Sequence, residues 1–71
     1  MQKLLLEING EAREVPERIN LHELLKHLSL APERLAVELN GKVIRRPDWP
    51  DTLLNEGDRV EIVHFVGGGR D

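Results

Sequence analysis

The dipeptide Asn-Gly occurs twice, at 9–10 and at 40–41, each time between two short stretches of strand character. Asn-Gly is the strongest local signal for a two-residue type I′ hairpin loop, because both central residues of that loop take positive φ. Two such loops commit much of a 71-residue chain to antiparallel hairpins. Before the first loop, "KLLLEI" alternates: Leu4, Leu6 and Ile8 share one face and Lys3, Leu5 and Glu7 the other. "EAREV" returns from it and Pro16 ends the strand. "RLAVELN" enters the second loop and "KVIR" leaves it.

Between the hairpins lies "INLHELLKHLS". Leu21, Leu24, Leu25 and Leu28 fall at i, i+3, i+4 and i+7, the stripe of an amphipathic helix. Asn20 is a good N-cap, Glu23 completes a capping box, and Ile19 can pack on Leu24 as a hydrophobic staple. Ala31-Pro32 is the expected stop. After the second hairpin, "RPDWPDTLLNEG" holds two prolines, which leaves room for a short helical turn only. Gly57-Asp58 then turns into "RVEIVHFV", the most apolar strand of the chain.

One leucine stripe covers one face of a sheet, so the chain is predicted to form two layers of the α+β class, with one main helix on a mixed sheet of about five strands. The last strand is expected in the middle of that sheet, parallel to the first and beside it. The predicted core is Leu4, Leu6, Ile8, Leu21, Leu24, Leu25, Leu28, Val60 and Ile62. Alternation then turns Glu61, Val63 and Phe65 outward, and Leu5 shares their phase on the neighbouring strand. An apolar group on a face without a helix predicts a partner-binding patch.

Composition narrows the function. Seventy-one residues make one small domain, and with no cysteine the chain has neither disulfides nor thiolate metal ligands. Ten Lys+Arg against thirteen Asp+Glu give a net charge of -3, and Trp49 and Phe65 are the only aromatics. Neither fits nucleic-acid binding. Leu4 to Leu6 is too short for a secretion signal and nothing approaches a membrane span, so a cytoplasmic location is expected. His22 and His27 stand five apart on the helix and His64 in a strand, so no metal site is expected. Arg45-Arg46 reads as a solvated strand end. Trp49 is expected to pack a satellite cluster with Leu53 or Leu54. Asp48, Asp51, Glu56 and Asp58 suit turn and cap duties in their Pro- and Gly-rich setting, and no catalytic residue is expected.

The chain finishes "EIVHFVGGGRD". Gly67 to Gly69 cannot be a phosphate loop, since no Lys-Ser/Thr follows and no helix is left to open. Residues 67–71 read as a flexible glycine tail on a domain of residues 1–66. Extended, the three glycines reach roughly 10 Å, and without Cβ atoms they can pass a narrow channel.

The stretches "VELNGKVIRRPDW" and "DTLLNEGDRVEIVHFVGGG" carry a resemblance. An Asn after the third strand, a Pro and a Trp in the next connection, Gly-Asp before the last strand and terminal glycines are shared with the sulfur carriers of thiamine biosynthesis. The chain thus resembles the ThiS family and its ubiquitin-like β-grasp fold. The resemblance implies a carrier rather than an enzyme. An E1-like adenylyltransferase of the ThiF type would use ATP to adenylate Gly69. A sulfur donor protein would displace AMP and leave a thiocarboxylate. That group would then give its sulfur to an intermediate on a thiazole synthase of the ThiG type. The carrier itself would bind no cofactor. Family members usually end at glycine, whereas Arg70 and Asp71 follow here, so a protease that trims them is expected as a further partner. The alternatives are a molybdopterin-synthase small subunit, a ubiquitin-like modifier, and a TGS-like module that contacts RNA or protein.

Overall fold

A computed structural model of the chain describes residues 2–65. The elements are β1 (Lys3–Ile8), β2 (Glu11–Pro16), α1 (Leu21–His27), a 3-10 turn (Pro32–Arg34), β3 (Leu35–Leu39), β4 (Lys42–Ile44), a second 3-10 segment (Arg46–Asp51) and β5 (Arg59–His64). Both Asn-Gly pairs close two-residue loops in the left-handed region, with φ of 50° and 85° at Asn9-Gly10 and 51° and 84° at Asn40-Gly41. The strand order is β2-β1-β5-β3-β4. As expected, β5 is central. It runs parallel to β1 through Glu7↔Arg59 and Ile8↔Val60, and antiparallel to β3 from Leu35↔His64 to Leu39↔Val60.

The helix starts where the sequence puts it. Glu23 N–H donates to Asn20 Oδ1 at 2.7 Å and Asn20 N–H donates to Glu23 Oε1 at 3.0 Å, a complete capping box. It ends earlier than Pro32. Ser29 takes φ 60°, its N–H donates to the Lys26 carbonyl, and Leu30 N–H donates to the Leu25 carbonyl, each at 2.9 Å. That pair of bonds is a Schellman motif, here with serine at the position glycine usually fills. Pro32 opens the first 3-10 turn instead.

Leu6, Ile8, Leu21, Leu24, Leu25 and Val60 are buried as expected, while Leu4, Leu28 and Ile62 are half-buried at the margin. Val15, Ile19, Leu35, Val37, Trp49 and Leu54 complete the core. Trp49 corrects the satellite-cluster expectation. It is 1% exposed, packs in the single core with Leu54, and leaves Leu53 on the surface. Its Nε1–H donates to the Ile44 carbonyl at 2.9 Å, which satisfies the one polar group its burial would strand. Two backbone bonds, Leu21 N–H to Thr52 O and Leu54 N–H to Ile19 O, both 3.0 Å, tie this connection to the start of α1.

Candidate docking face and the end of β5

The helix covers one face of the sheet, and the other is open. Leu5, Val43, Val63 and Phe65 are all exposed there, and so is Glu61. Register decides which of them are neighbours. Val63 stands opposite Ala36 of β3, Glu61 opposite Glu38, and Glu38 in turn opposite Val43 of β4. Val63, Phe65 and Ala36 therefore lie together toward the C-terminal end of β5, bordered by the row Glu61–Glu38–Val43, in which Glu38 separates Val43 from β5. Like charges directly opposite across two strands cost stability, so the Glu61–Glu38 pair does nothing for the fold itself.

Leu5 has the predicted orientation but not the predicted neighbours. The β1–β5 register puts it level with Gly57, whose N–H donates to the Leu5 carbonyl at 2.8 Å. Val63 is six positions further along β5, roughly 20 Å away at the rise of a strand. Ala36, which stands opposite Val63, was missed. The two-residue loop at Asn40-Gly41 fixes Glu38 opposite Val43, but nothing local fixes β3 against β5.

The two turn asparagines also hold β5. Asn40 N–H donates to the Arg59 carbonyl at 2.7 Å, Arg59 N–H donates to Asn40 Oδ1 at 2.9 Å, and Asn40 Nδ2 donates to Asp58 Oδ1 at 3.0 Å. On the other side, Ile62 N–H donates to Asn9 Oδ1 at 2.7 Å and Asn9 Nδ2 donates to the Ile62 carbonyl at 3.2 Å. Glu56 acts similarly on β1, its Oε1 accepting from Leu5 N–H at 2.9 Å. Asp58 has the turn duty the sequence suggested, its Oδ2 accepting from Asn55 N–H at 2.8 Å, whereas Glu56 is used to bond β1 instead of its own turn.

Among the described residues no polar or charged side chain is buried and no group of three or more His, Asp or Glu could hold a metal ion. No helix of the described residues is long and apolar enough to cross a membrane. His22, His27, Arg45, Arg46, Asp48 and Asp51 are exposed. Among the described residues the open face offers an exposed apolar patch beside the end of β5. Gly67, Gly68 and Gly69, Arg70 and Asp71, and the boundary drawn between residues 66 and 67 lie outside the described residues.

A mixed five-stranded sheet in this order with one helix across it is the ubiquitin-like β-grasp. The ThiS family model matches residues 6–69, and the chain belongs to that family. The crystal structure of a ThiS thiamine biosynthesis protein from Geobacter metallireducens is 40% identical, covers 93% of this chain and 100% of its own, and superposes with a TM-score of 0.82. The sulfur carrier protein ThiS of Bacillus subtilis is 32% identical over 92% of this chain and 100% of its own length. A thiazole synthase of Magnetococcus marinus is 40% identical over 92% of this chain. The chain spans about a fifth of that synthase's length, 20%.

Proposed function

We propose that this chain is a sulfur carrier of thiamine biosynthesis that holds its sulfur on the main-chain carboxylate of Gly69. The observation that carries the reading is a family match running through Gly67 to Gly69 on a fold whose last strand is central. That strand is held as far as Ile62 on the β1 side and as far as Phe65 on the β3 side.

A carboxylate is a poor electrophile. An E1-like adenylyltransferase overcomes this by letting a carboxylate oxygen of Gly69 attack the α-phosphorus of ATP, with pyrophosphate leaving. The terminal sulfur of a persulfide on a donor protein then adds at the carbonyl carbon and AMP leaves, which gives an acyl disulfide to the donor. A thiol attacks the donor sulfur of that S–S bond, becomes oxidised to a disulfide with it, and releases the thiocarboxylate. ATP is the activating enzyme's substrate, and the carrier binds no cofactor and contributes no catalytic side chain. Its task is delivery in the cytoplasm. Glycines without Cβ atoms let the end enter a narrow channel. Thiazole synthase is the proposed acceptor. Support comes from the Magnetococcus marinus protein of that name, in which a segment similar to this chain belongs to the same polypeptide.

The carboxylate of Gly69 exists only once the bond to Arg70 is cut. Whatever follows Gly69, beginning with Arg70 and Asp71, is therefore removed by a protease before activation. The form ending at Gly69 should be adenylated with ATP and the E1-like enzyme, and intact mass should show oxygen-to-sulfur exchange once a sulfur donor is added. Equal adenylation of the uncut chain, with no prior loss of mass, would refute the assignment of Gly69.

The activating enzyme docks on the open face through Glu61, Val63 and Phe65. A standard interface covers ~800 Å² per partner, wide enough to take in Leu5 as an outlying contact. Phe65→Asp should leave the fold intact, since Phe65 is exposed, and raise the KM for the carrier. Unchanged adenylation kinetics in that variant would remove this face from the reading.

A further inference from the structure

β1 is too short for the strand it accompanies. Its pairing with β5 consists of Glu7↔Arg59 and Ile8↔Val60, and its last rung is Asn9 N–H to the Val60 carbonyl at 2.9 Å. The chain then turns away through Asn9 and Gly10, while β5 continues to His64. On the β3 side β5 stays paired to its end, with a final bond from Phe65 N–H to the Arg34 carbonyl at 2.8 Å. On the β1 side, among the described residues, the next group to meet β5 is the carboxamide of Asn9. It satisfies both the N–H and the carbonyl of Ile62, as a further residue of β1 would. A strand paired on one side only can twist and bend toward that side. The amide therefore balances the ladder one step nearer the C-terminus than β1 reaches.

We propose that Asn9 is a positioning residue for the carrier end: it fixes the heading of β5 where the strand runs out past β1, and so the direction in which Gly69 is presented to the activating enzyme. The inference rests on the carrier reading above. Asn9 takes no part in the chemistry and does not lie in the proposed docking group of Glu61, Val63 and Phe65. Its effect passes through Ile62. The left-handed φ of 50° at Asn9 aims the short side chain back at the neighbouring strand. Only Asn combines tolerance of that backbone with a donor and an acceptor on a short side chain.

Asn40 supplies an internal control. Its amide also holds β5, but at Arg59, where the strand begins: Oδ1 accepts from Arg59 N–H while Nδ2 donates to the Asp58 carboxylate. Asn9→Gly and Asn40→Gly both keep a residue at ease with positive φ, and Gly-Gly is an accepted type I′ loop. Each variant loses one side-chain clamp on β5, one near the exit and one at the entrance.

The three proteins, each ending at Gly69, are compared with ATP and the E1-like enzyme at a temperature well below all three melting points. Amide exchange is followed in parallel by NMR without the enzyme. Asn9→Gly should speed exchange at Ile62 about tenfold, the scale of one lost hydrogen bond. It should lower kcat for adenylation about tenfold or more, because misplacement of a reacting group is costly, and leave the KM for the carrier within about twofold since the docking group is unchanged. Asn40→Gly should keep the wild-type kcat. The inference is overturned if Ile62 exchange does not change in Asn9→Gly, if its kcat equals the wild type's, or if Asn40→Gly loses as much kcat. A wild type that accepts no adenylate overturns the carrier reading, and the inference with it. That outcome is visible in the wild-type tube before any variant is compared.

Discussion

Leu25→Ala tests the packing on which every surface argument above depends. Leu25 is 1% exposed and lies on α1 in the same core cluster as Trp49. Full burial of a leucine side chain is worth about 1.5–3 kcal/mol in transfer alone. The cavity left by truncation adds to this, so the expected loss is about 2–5 kcal/mol. A domain of this length has a total stability of about 4–10 kcal/mol, so the variant should lose a large share of it. With a urea m-value of about 1 kcal/mol/M for a small domain, the unfolding midpoint should fall by about 2 M or more. The assay is a urea titration followed by intrinsic fluorescence. Trp49 is the only tryptophan and tyrosine is absent, so the signal reports a single buried ring. Leu28→Ala is the companion measurement. Leu28 is half-buried at the margin, and its truncation should cost about 1 kcal/mol less than that of Leu25 or better. A loss under about 1 kcal/mol for Leu25→Ala, or equal losses for the two variants, would refute the placement of the leucine stripe.

Ser29→Gly should stabilise the fold by about 0.5–1 kcal/mol, since Ser29 sits at φ 60° in a helix-ending motif and glycine relieves that strain at a smaller entropic cost. The same urea titration checks it, and a loss would show that the serine side chain does something glycine cannot. Trp49→Phe should cost about 2–3 kcal/mol by thermal unfolding followed by circular dichroism. It removes the donation from Nε1 to the Ile44 carbonyl and leaves part of the ring volume empty. A cost below about 0.5 kcal/mol would mean the core closes around the smaller ring and the lost bond contributes little. Glu61→Lys should raise stability by roughly 0.5 kcal/mol or less, because it turns the cross-strand repulsion with Glu38 into attraction. Lower stability in low salt would contradict that pairing.

The sequence made some of this legible for local reasons. A capping box depends on residues three apart, and Asn20 and Glu23 could be read directly. A type I′ loop depends on two residues, and both Asn-Gly loops were read. Strand phase depends on alternation, which put Val63 and Phe65 on the open face. What escaped reading was set by distance along the chain. Alternation gives the face a residue occupies but not its level along the sheet. Leu5 was therefore grouped with Val63, although the β1–β5 register separates them. That register depends on how the 3-10 segment and the turn at Gly57 take up slack before β5, which no local pattern encodes. Val15 was missed because the rest of β2 is exposed, so only a single residue of that strand reaches under the short helix. The early helix stop escaped because Ser29 is a poor signal for the left-handed position.

The same distance argument explains why both turn asparagines carried a second role. An Asn-Gly pair reads as a hairpin and the reading is complete in itself, so nothing local suggests that the carboxamide is also used. Only the insertion of β5 between the two hairpins brings Ile62 to Asn9 and Arg59 to Asn40. The consequence is mechanical. β5 is gripped by backbone ladders where β1 and β3 accompany it and by side-chain amides where a neighbour turns away. These amides lie on the exposed edge of the fold, outside the leucine core. Core substitutions such as Leu25→Ala should therefore change how long the domain stays folded without redirecting β5 while it is folded. Asn9 is placed to do the reverse. If a carrier must offer its last glycine to a partner at one fixed heading, that separation lets the surface and core vary while the heading is kept.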